Sequence, residues 1–332
     1  MTDRCYYLML AGLALLTLNL FLLSLTVGST GIGFWTSLKA LFLWEDSLTG
    51  LVVRDIRLPR AILGLLVGAT LGLSGAVLQG FLRNPLAEPG LIGVSACASL
   101  GAVLAIYTGL SAAFALGLPL AGLAGAFLGV LVVRALAGSS GSTLTLILAG
   151  VAISSFAAAM TSLTLNLSPN PFAAVEIMFW MMGSLSDRSM IHVGLAAPFI
   201  IIGWLSLLSL GRPLDALTLG RDAAASMGID LRRLQRRVVF GVAASVGAAT
   251  AVSGAIGFVG LVVPHMLRPF TGAVPSRLLP ASALGGACMV LVADVAVRLI
   301  THERDIKLGV LTAVVGAPFF LWLVYRTRRE ML

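Results

Sequence analysis

Arginine dominates the charged chemistry of this chain, and its placement limits what that chemistry can be. Arg57 and Arg60 bracket Leu-Pro in Arg57-Leu-Pro-Arg60. Three residues apart at a helix start, they share one side, and Pro59 suits a first turn, where a missing N–H is no loss. A planar guanidinium pairs bidentately with a carboxylate. The two arginines therefore either dock an acidic partner or snorkel to a membrane surface. Asp294 stands four residues before Arg298 inside an apolar run. An intramembrane acid is a functional suspect, but this spacing favours an internal ion pair. His265, next to Pro264, reads as a hydrogen-bonded structural residue rather than a ligand or proton relay. Cys5, Cys97 and Cys288 are far apart and lack CxxC spacing, so packing is their expected role. Neither Lys39 nor Lys307 lies in a GxxxxGK[ST] phosphate loop, and no HExxH or GxSxG motif occurs. No set of residues here supports covalent catalysis.

Two joints between apolar runs carry further signals. In Arg83-Asn-Pro-Leu-Ala-Glu-Pro-Gly90, two prolines and a glycine make a stiff turn between helices. Glu88 is placed to cap the second helix, while Asn84 and Leu86 can face a pore mouth. In the loop at about 213–230, Pro213 starts a short helix and Gly220 interrupts it. Arg221 to Met227 reads as another short helix, with Gly228 as its C-terminal cap. Asp230 then caps a helix carrying Arg232, Arg233, Arg236 and Arg237. This loop is either a docking surface or a solvated basic connector. The Met178–Met182 region, with Phe179 and Trp180, reads as packing.

The elements that position these residues are membrane helices. Of 332 residues 58% are apolar and only 11% charged, far from the roughly 25% charged residues of a soluble domain. A soluble enzyme, a disordered tail and a disulfide scaffold are excluded. Continuous rather than alternating apolar runs argue against a β-barrel. Runs fall at about 6–27, 60–81, 91–109, 112–134, 143–167, 190–210, 237–256, 257–272, 278–300 and 308–325. The fold class is thus an all-α polytopic membrane protein of about ten spans, with 1–332 as a single transmembrane domain. The first run is too long for a signal peptide and lacks a clear cleavage site, so it reads as an uncleaved span. With both termini inside, fourteen of the 22 Lys and Arg lie inside and eight outside, as the positive-inside rule prefers. Six of the outer eight cluster at 54–60 and 298–307. Such a basic balance reflects orientation, not nucleic acid. Gly68, Ser74, Gly75, Ala76 and Pro85 recur at constant offset as Gly247, Ser253, Gly254, Ala255 and Pro264. With ten spans this is an inverted repeat, common in transporters.

These residues together resemble the FecCD family, permease subunits of type II ABC importers for vitamin B12, haem and ferric siderophores. The matching runs include Arg57-Leu-Pro-Arg60, Gly75-Ala-Val-Leu-Gln79, Asn84-Pro-Leu-Ala-Glu-Pro-Gly90, Leu148-Ala-Gly-Val-Ala152, Phe179-Trp-Met-Met-Gly183, Leu219-Gly-Arg-Asp-Ala223, Gly257-Phe-Val-Gly260 and Gly316-Ala-Pro-Phe319. They occur in order from about residue 54 onward. The resemblance implies ten helices, a homodimer with a central pathway, two cytoplasmic ATP-binding subunits and a periplasmic substrate-binding protein. It places Arg57, Arg60 and Arg298 at an outer docking surface, and Asn84, Leu86, Ser142 and Thr143 near the inner gate. It makes Leu219, Gly220, Arg221, Asp222, Ala225, Met227 and Gly228 the ATPase coupling segment. The charged stretch Glu303-Arg-Asp-Ile-Lys307 departs from the family pattern.

The expected role is a permease of a bacterial inner-membrane importer for a bulky chelate, with no cofactor in this chain and ATP and Mg on the partner subunit. A secondary transporter with an inverted repeat is the alternative, and would show ion-coordinating carboxylates or broken helices at mid-membrane. A membrane-embedded enzyme lacks an acid, base or metal set. Ferric siderophore, haem and cobalamin stay open as cargo.

Overall fold

The computed structural model describes residues 3–28, 33–42, 47–138, 143–168, 170–300 and 306–331. Every regular element among them is helical. The first half contains α1 (Asp3–Thr26), α2 (Phe34–Phe42), α3 (Leu48–Leu51), α4 (Leu58–Leu82), α5 (Val94–Tyr107), α6 (Leu110–Ala113), α7 (Gly117–Ala137) and α8 (Thr143–Asn166). Then follow α9 (Pro171–Met181), α10 (Met190–Leu208), α11 (Gly211–Thr218), α12 (Arg221–Ser226), α13 (Leu231–Ser253), α14 (Val259–Leu267), α15 (Pro275–Ile300) and α16 (Leu308–Met331).

Six stretches are long and apolar enough to cross a membrane: α1, α4 with the turns before it, α7, α8, α10 and α15. The ten expected spans therefore do not all appear as full-length helices. The 257–272 run, short already in the sequence and interrupted by Pro264, shows this most clearly. Its helix, α14, has nine residues, about 14 Å long, against a hydrocarbon core of about 30 Å. Gly254 and Phe258 both take positive φ just before it, which breaks the chain away from α13. The run at 91–109 also shortens, because Pro89–Ile92 forms a 3₁₀ turn and α5 starts only at Val94.

Upstream of α4, Val52–Arg57 winds as a π-helix, and the Leu58 N–H reaches back to the Val53 carbonyl. Pro59 explains the wider turn. It has no N–H for the residue four before it, and its ring crowds that carbonyl. The widened turn carries Arg54 and Arg57.

Small residues let the helices cross at backbone distance, the usual basis of membrane helix packing. A methyl group at Gly68 would meet the backbone of Gly286 and Ala287, and one at Gly72 that of Ser282. Rising numbers on α4 meet falling ones on α15, so the two run antiparallel. Gly122 likewise faces Ala251 and Gly247 faces Ala126, which makes α7 and α13 antiparallel. The two crossings correspond. Gly68 and Gly247, already paired by the internal repeat, each sit where their helix crosses its antiparallel partner.

The exchange extends through the bundle. Just as α4 packs on α15, α13 packs on α7. The pairs α5–α7, α4–α14 and α5–α8 are matched by α14–α15, α13–α5 and α14–α16. The helices α4, α5, α7 and α8 thus map in order onto α13, α14, α15 and α16. Reciprocal contacts of this kind are what a twofold axis between two halves requires.

Candidate functional site

Two polar assemblies stand at opposite ends of α15. From Ser276 to Arg298 that helix rises about 33 Å, close to the thickness of a bilayer core.

The first assembly is an arginine knot. A helix leaves its last carbonyls without intrahelical partners, and those of α1 are taken by two arginines from elsewhere. Arg57 Nη1 donates to the Leu25 and Thr26 carbonyls at 3.0 and 2.7 Å. Arg298 Nη1 donates to the Ser24 and Val27 carbonyls, both at 2.8 Å. Positive charge at a helix C-terminus also opposes the helix dipole favourably. Arg298 Nη2 further reaches Ser24 Oγ at 2.5 Å and Asp294 Oδ2 at 2.6 Å. The other carboxylate oxygen, Oδ1, accepts from Arg60 Nε and Nη2 at 2.8 Å. One aspartate thus joins α4 and α15, and two guanidiniums hold α1 against both.

The expected Asp294–Arg298 pair is present, and it has a third member. The docking role implied by the resemblance stays a proposal, and the geometry shows how these arginines are held within the chain. Arg57 is 4% exposed, and the side chains of Arg298 and Arg60 are 10% and 17% exposed, with Arg60 facing Asp294. These guanidiniums point into the bundle because α1 offers bare carbonyls and α15 a carboxylate. They are internal ties.

The second assembly lies at the Ser276 end. Asp215 Oδ1 of α11 accepts the Ser276 N–H at 2.8 Å, which anchors α11 on the N-terminus of α15. Gly220 and Gly228 both have positive φ, and they bound the short helix α12 as expected. Asp230 Oδ1 accepts the Arg233 N–H at 2.9 Å, the expected cap of α13. That hydrogen bond to its charged form holds the Asp230 carboxyl below its ordinary range. Leu219 and Met227 are exposed apolar side chains, 69% and 62% accessible. Arg221, Asp222, Ala225 and Gly228 are exposed beside them. Arg221 Nη1 also hydrogen-bonds Thr143 Oγ1, which links α12 to the first residue of α8.

Among the expected gate residues, Asn84 and Leu86 form one turn: the Leu86 N–H donates to Asn84 Oδ1 at 2.9 Å. Arg83 closes α4 in the left-handed region. Thr143 bonds to Arg221 rather than to this turn, and Ser142 lies outside the described residues. Glu88 sits at the N-cap of the 3₁₀ turn, but its side chain makes no capping bond. Burial pushes its carboxyl up. Glu303, Arg304 and Asp305 lie outside the described residues. Lys307 rests over the Phe179 ring, 5.2 Å from its centroid.

Other ties carried no sequence signal. Arg268 Nη2 donates to Gln79 Oε1 at 2.7 Å, and Gln79 Nε2 to the Gly260 and Leu261 carbonyls, binding the short α14 to α4. Arg188 Nε donates to the Val252 carbonyl at 2.5 Å. His265 stacks edge-on with Phe319 at 5.9 Å. Among the described residues no cluster of His, Cys, Asp or Glu forms a metal site.

Comparison with known proteins agrees in length and in fold. The hemin transport system permease protein of Yersinia pestis is 36% identical, covering 97% of both chains. A vitamin B12 import system permease protein of Klebsiella pneumoniae is 38% identical over 96% of this chain and 94% of its own. An Fe(3+)-citrate import system permease protein of Bacillus subtilis is 35% identical over 92% of this chain and 91% of its own. A solved structure described as an inward-facing metal-chelate type ABC transporter superposes with a TM-score of 0.84. It is 34% identical and covers 96% of this chain and 98% of its own. The repeat, the broken α13–α14 joint and the glycines that bound α12 all lie within residues 15–326, the stretch matched by the FecCD transport family, and to that family the chain belongs.

Proposed function

We propose that the chain is the pathway-forming permease of an ATP-driven importer for a bulky metal chelate. On this reading it works as a dimer with two ATP-binding subunits inside and a binding protein outside, in a bacterial inner membrane with both termini cytoplasmic. The observation that carries it is the α11–α12 segment. It exposes Leu219 and Met227 at one end of the bundle, is anchored by Asp215 to α15, and reaches Thr143 on α8 through Arg221. An ATPase pressing on α12 would therefore move the start of α8, which is how a two-state gate can be biased from outside the membrane. The named relatives import hemin, vitamin B12 and ferric citrate, which supports a chelate as cargo.

A secondary transporter is less well supported. Asp294 is the one fully buried carboxylate among the described residues, and two arginines already neutralise it. Its charge is thus already compensated within the chain.

The test is co-purification from cells that express the chain with its ATP-binding subunit. The complex should form, and Met227→Asp should release the ATPase while membrane insertion persists. The chain alone should hydrolyse no ATP. Undiminished ATPase association in the variant, or hydrolysis by the isolated chain, would overturn the reading. Vesicles holding the complex, supplied in turn with haem, cobalamin and a ferric siderophore on their binding proteins, would then identify the cargo.

A further inference from the structure

Apart from Arg221 at its rim, the groove between α7, α10 and α13 is not used by the function above. It encloses about 1090 Å³, and its two ends differ in chemistry. Arg134, in the last turn of α7, and Arg232 and Arg236, in the first turns of α13, stand together at one end. They meet because α7 and α13 run antiparallel, and Arg221 of α12 joins them. None of Arg134, Arg232 or Arg236 forms a salt bridge among the described residues. Among the described residues Asp230 is the only acid lining the mouth, and its carboxylate already accepts a backbone N–H.

Away from the mouth the lining is apolar. One and two turns from Arg134, Leu131 and Phe127 line the groove. On α13, Val239 and Phe240 continue the stripe begun by Arg232 and Arg236. Phe127 and Phe240 are 65% and 55% exposed, so the groove opens sideways from the bundle. It runs from Arg134 to Leu123, eleven residues or about 16 Å of helix. That is half of a hydrocarbon core of about 30 Å, the depth of one leaflet.

We propose that this groove binds one anionic phospholipid, with an acyl chain along the apolar stripe and the phosphodiester on the arginines. Guanidinium groups suit phosphate because their fork of donors matches its oxygens, and basic pockets between membrane helices recognise anionic headgroups. A general excess of arginine on one side would not by itself select a place. The selection comes from the face: Arg233 and Arg237, on the same turns of α13, are exposed but do not line the groove.

The test uses the full chain, purified in mild detergent, stripped of lipid and titrated with phosphatidylglycerol or phosphatidylcholine of identical acyl chains. Bound lipid is counted by native mass spectrometry. Phosphatidylglycerol should bind about tenfold more tightly, the double change R232Q/R236Q should erase that preference, and R233Q/R237Q should keep it. Arg134→Gln, on a different helix, gives a second reading if the first double variant does not fold. Equal binding of the two lipids, or equal loss from both double variants, overturns the proposal. Displacement of the lipid by glycerol phosphate alone would reassign the site to a free phosphate, and a changed oligomeric state in R232Q/R236Q to a second copy. Either result also overturns it.

Discussion

At the scale of single residues, Asp294 decides whether the arginine knot holds. Its carboxylate is 1% exposed and lies between Arg60 and Arg298. Removing one partner from a buried ion pair costs about 3–5 kcal/mol, because the charge left behind has neither water nor partner. Asp294→Asn leaves two guanidiniums facing each other, so a marked fall in the thermal unfolding midpoint in detergent is expected. An unchanged midpoint would mean that the knot is not structural. Arg57→Lys should also destabilise, though less, since lysine keeps the charge but not the planar geometry that aims Nη1 at both carbonyls. Asp230 sets a pH dependence of opposite origin. Its folded-state pKa is depressed, so its cap is fully stabilising above the unfolded carboxylate value, about 4. That contribution fades as pH falls through the lower folded value. Asp230→Asn keeps a capping oxygen without the charge, so the stability difference between parent and variant should shrink as the pH drops below about 4. A difference that stays constant as the pH falls from about 6 through the acid range would count against the charged cap.

Among the elements, the crossings and the joints make different demands on glycine. At Gly286 a side chain would strike the Gly68 backbone, and two packed helices can relieve that only by separating. Gly286→Val should therefore abolish folded protein in the membrane, measured by size-exclusion in detergent. Gly12→Val is the control, since nothing lies within 4 Å of that position. Gly228 is different again. Nothing lies near it either, but its φ is +83°, a conformation that β-branched residues avoid. Gly228→Val should cost about 1–3 kcal/mol locally, distort the reversal between α12 and α13, and uncouple ATP hydrolysis from transport. Gly228→Asn should retain coupling, because Asn tolerates the left-handed region. If both variants behave alike, the backbone conformation is not what matters.

For the whole molecule, reciprocal packing carries a directional consequence. If α4, α5, α7, α8 and α10 each cross the membrane once, α4 and α13 start on opposite sides. In a chain with Cys5 replaced by serine, a cysteine at Leu51 should react with an impermeant thiol reagent from outside. One at Arg233 should react only after the membrane is opened. Both native Cys97 and Cys288 are buried and should stay silent. Labelling of both sites from the same side would break the inverted relation and the proposed orientation together.

Much of this molecule was legible in its sequence wherever near neighbours set the outcome. The membrane class followed from composition. The Asp230 cap, the Gly228 reversal and the Asp294–Arg298 pair followed from spacings of at most four residues, within which helical geometry alone brings groups together. The repeat register at Gly68 and Gly247 was visible for a similar reason, since a close crossing tolerates only the smallest residues. What spacing could not supply was the direction of a long side chain. Arg57 and Arg60 share a helical face, but Arg57 turns to carbonyls of α1 more than thirty positions away and Arg298 to others more than 270 away. Nothing in the sequence marks those carbonyls as vacant, because every helix end has them. Only the packing of α1 on α15 put them within reach, and that packing ties the arginines into the bundle. The length of α14 was decided in the same way. Its apolar run was short for a span and interrupted by Pro264, and the backbone breaks at Gly254 and Phe258, with Gln79 and Arg268 holding the fragment to α4, fixed where its helix begins.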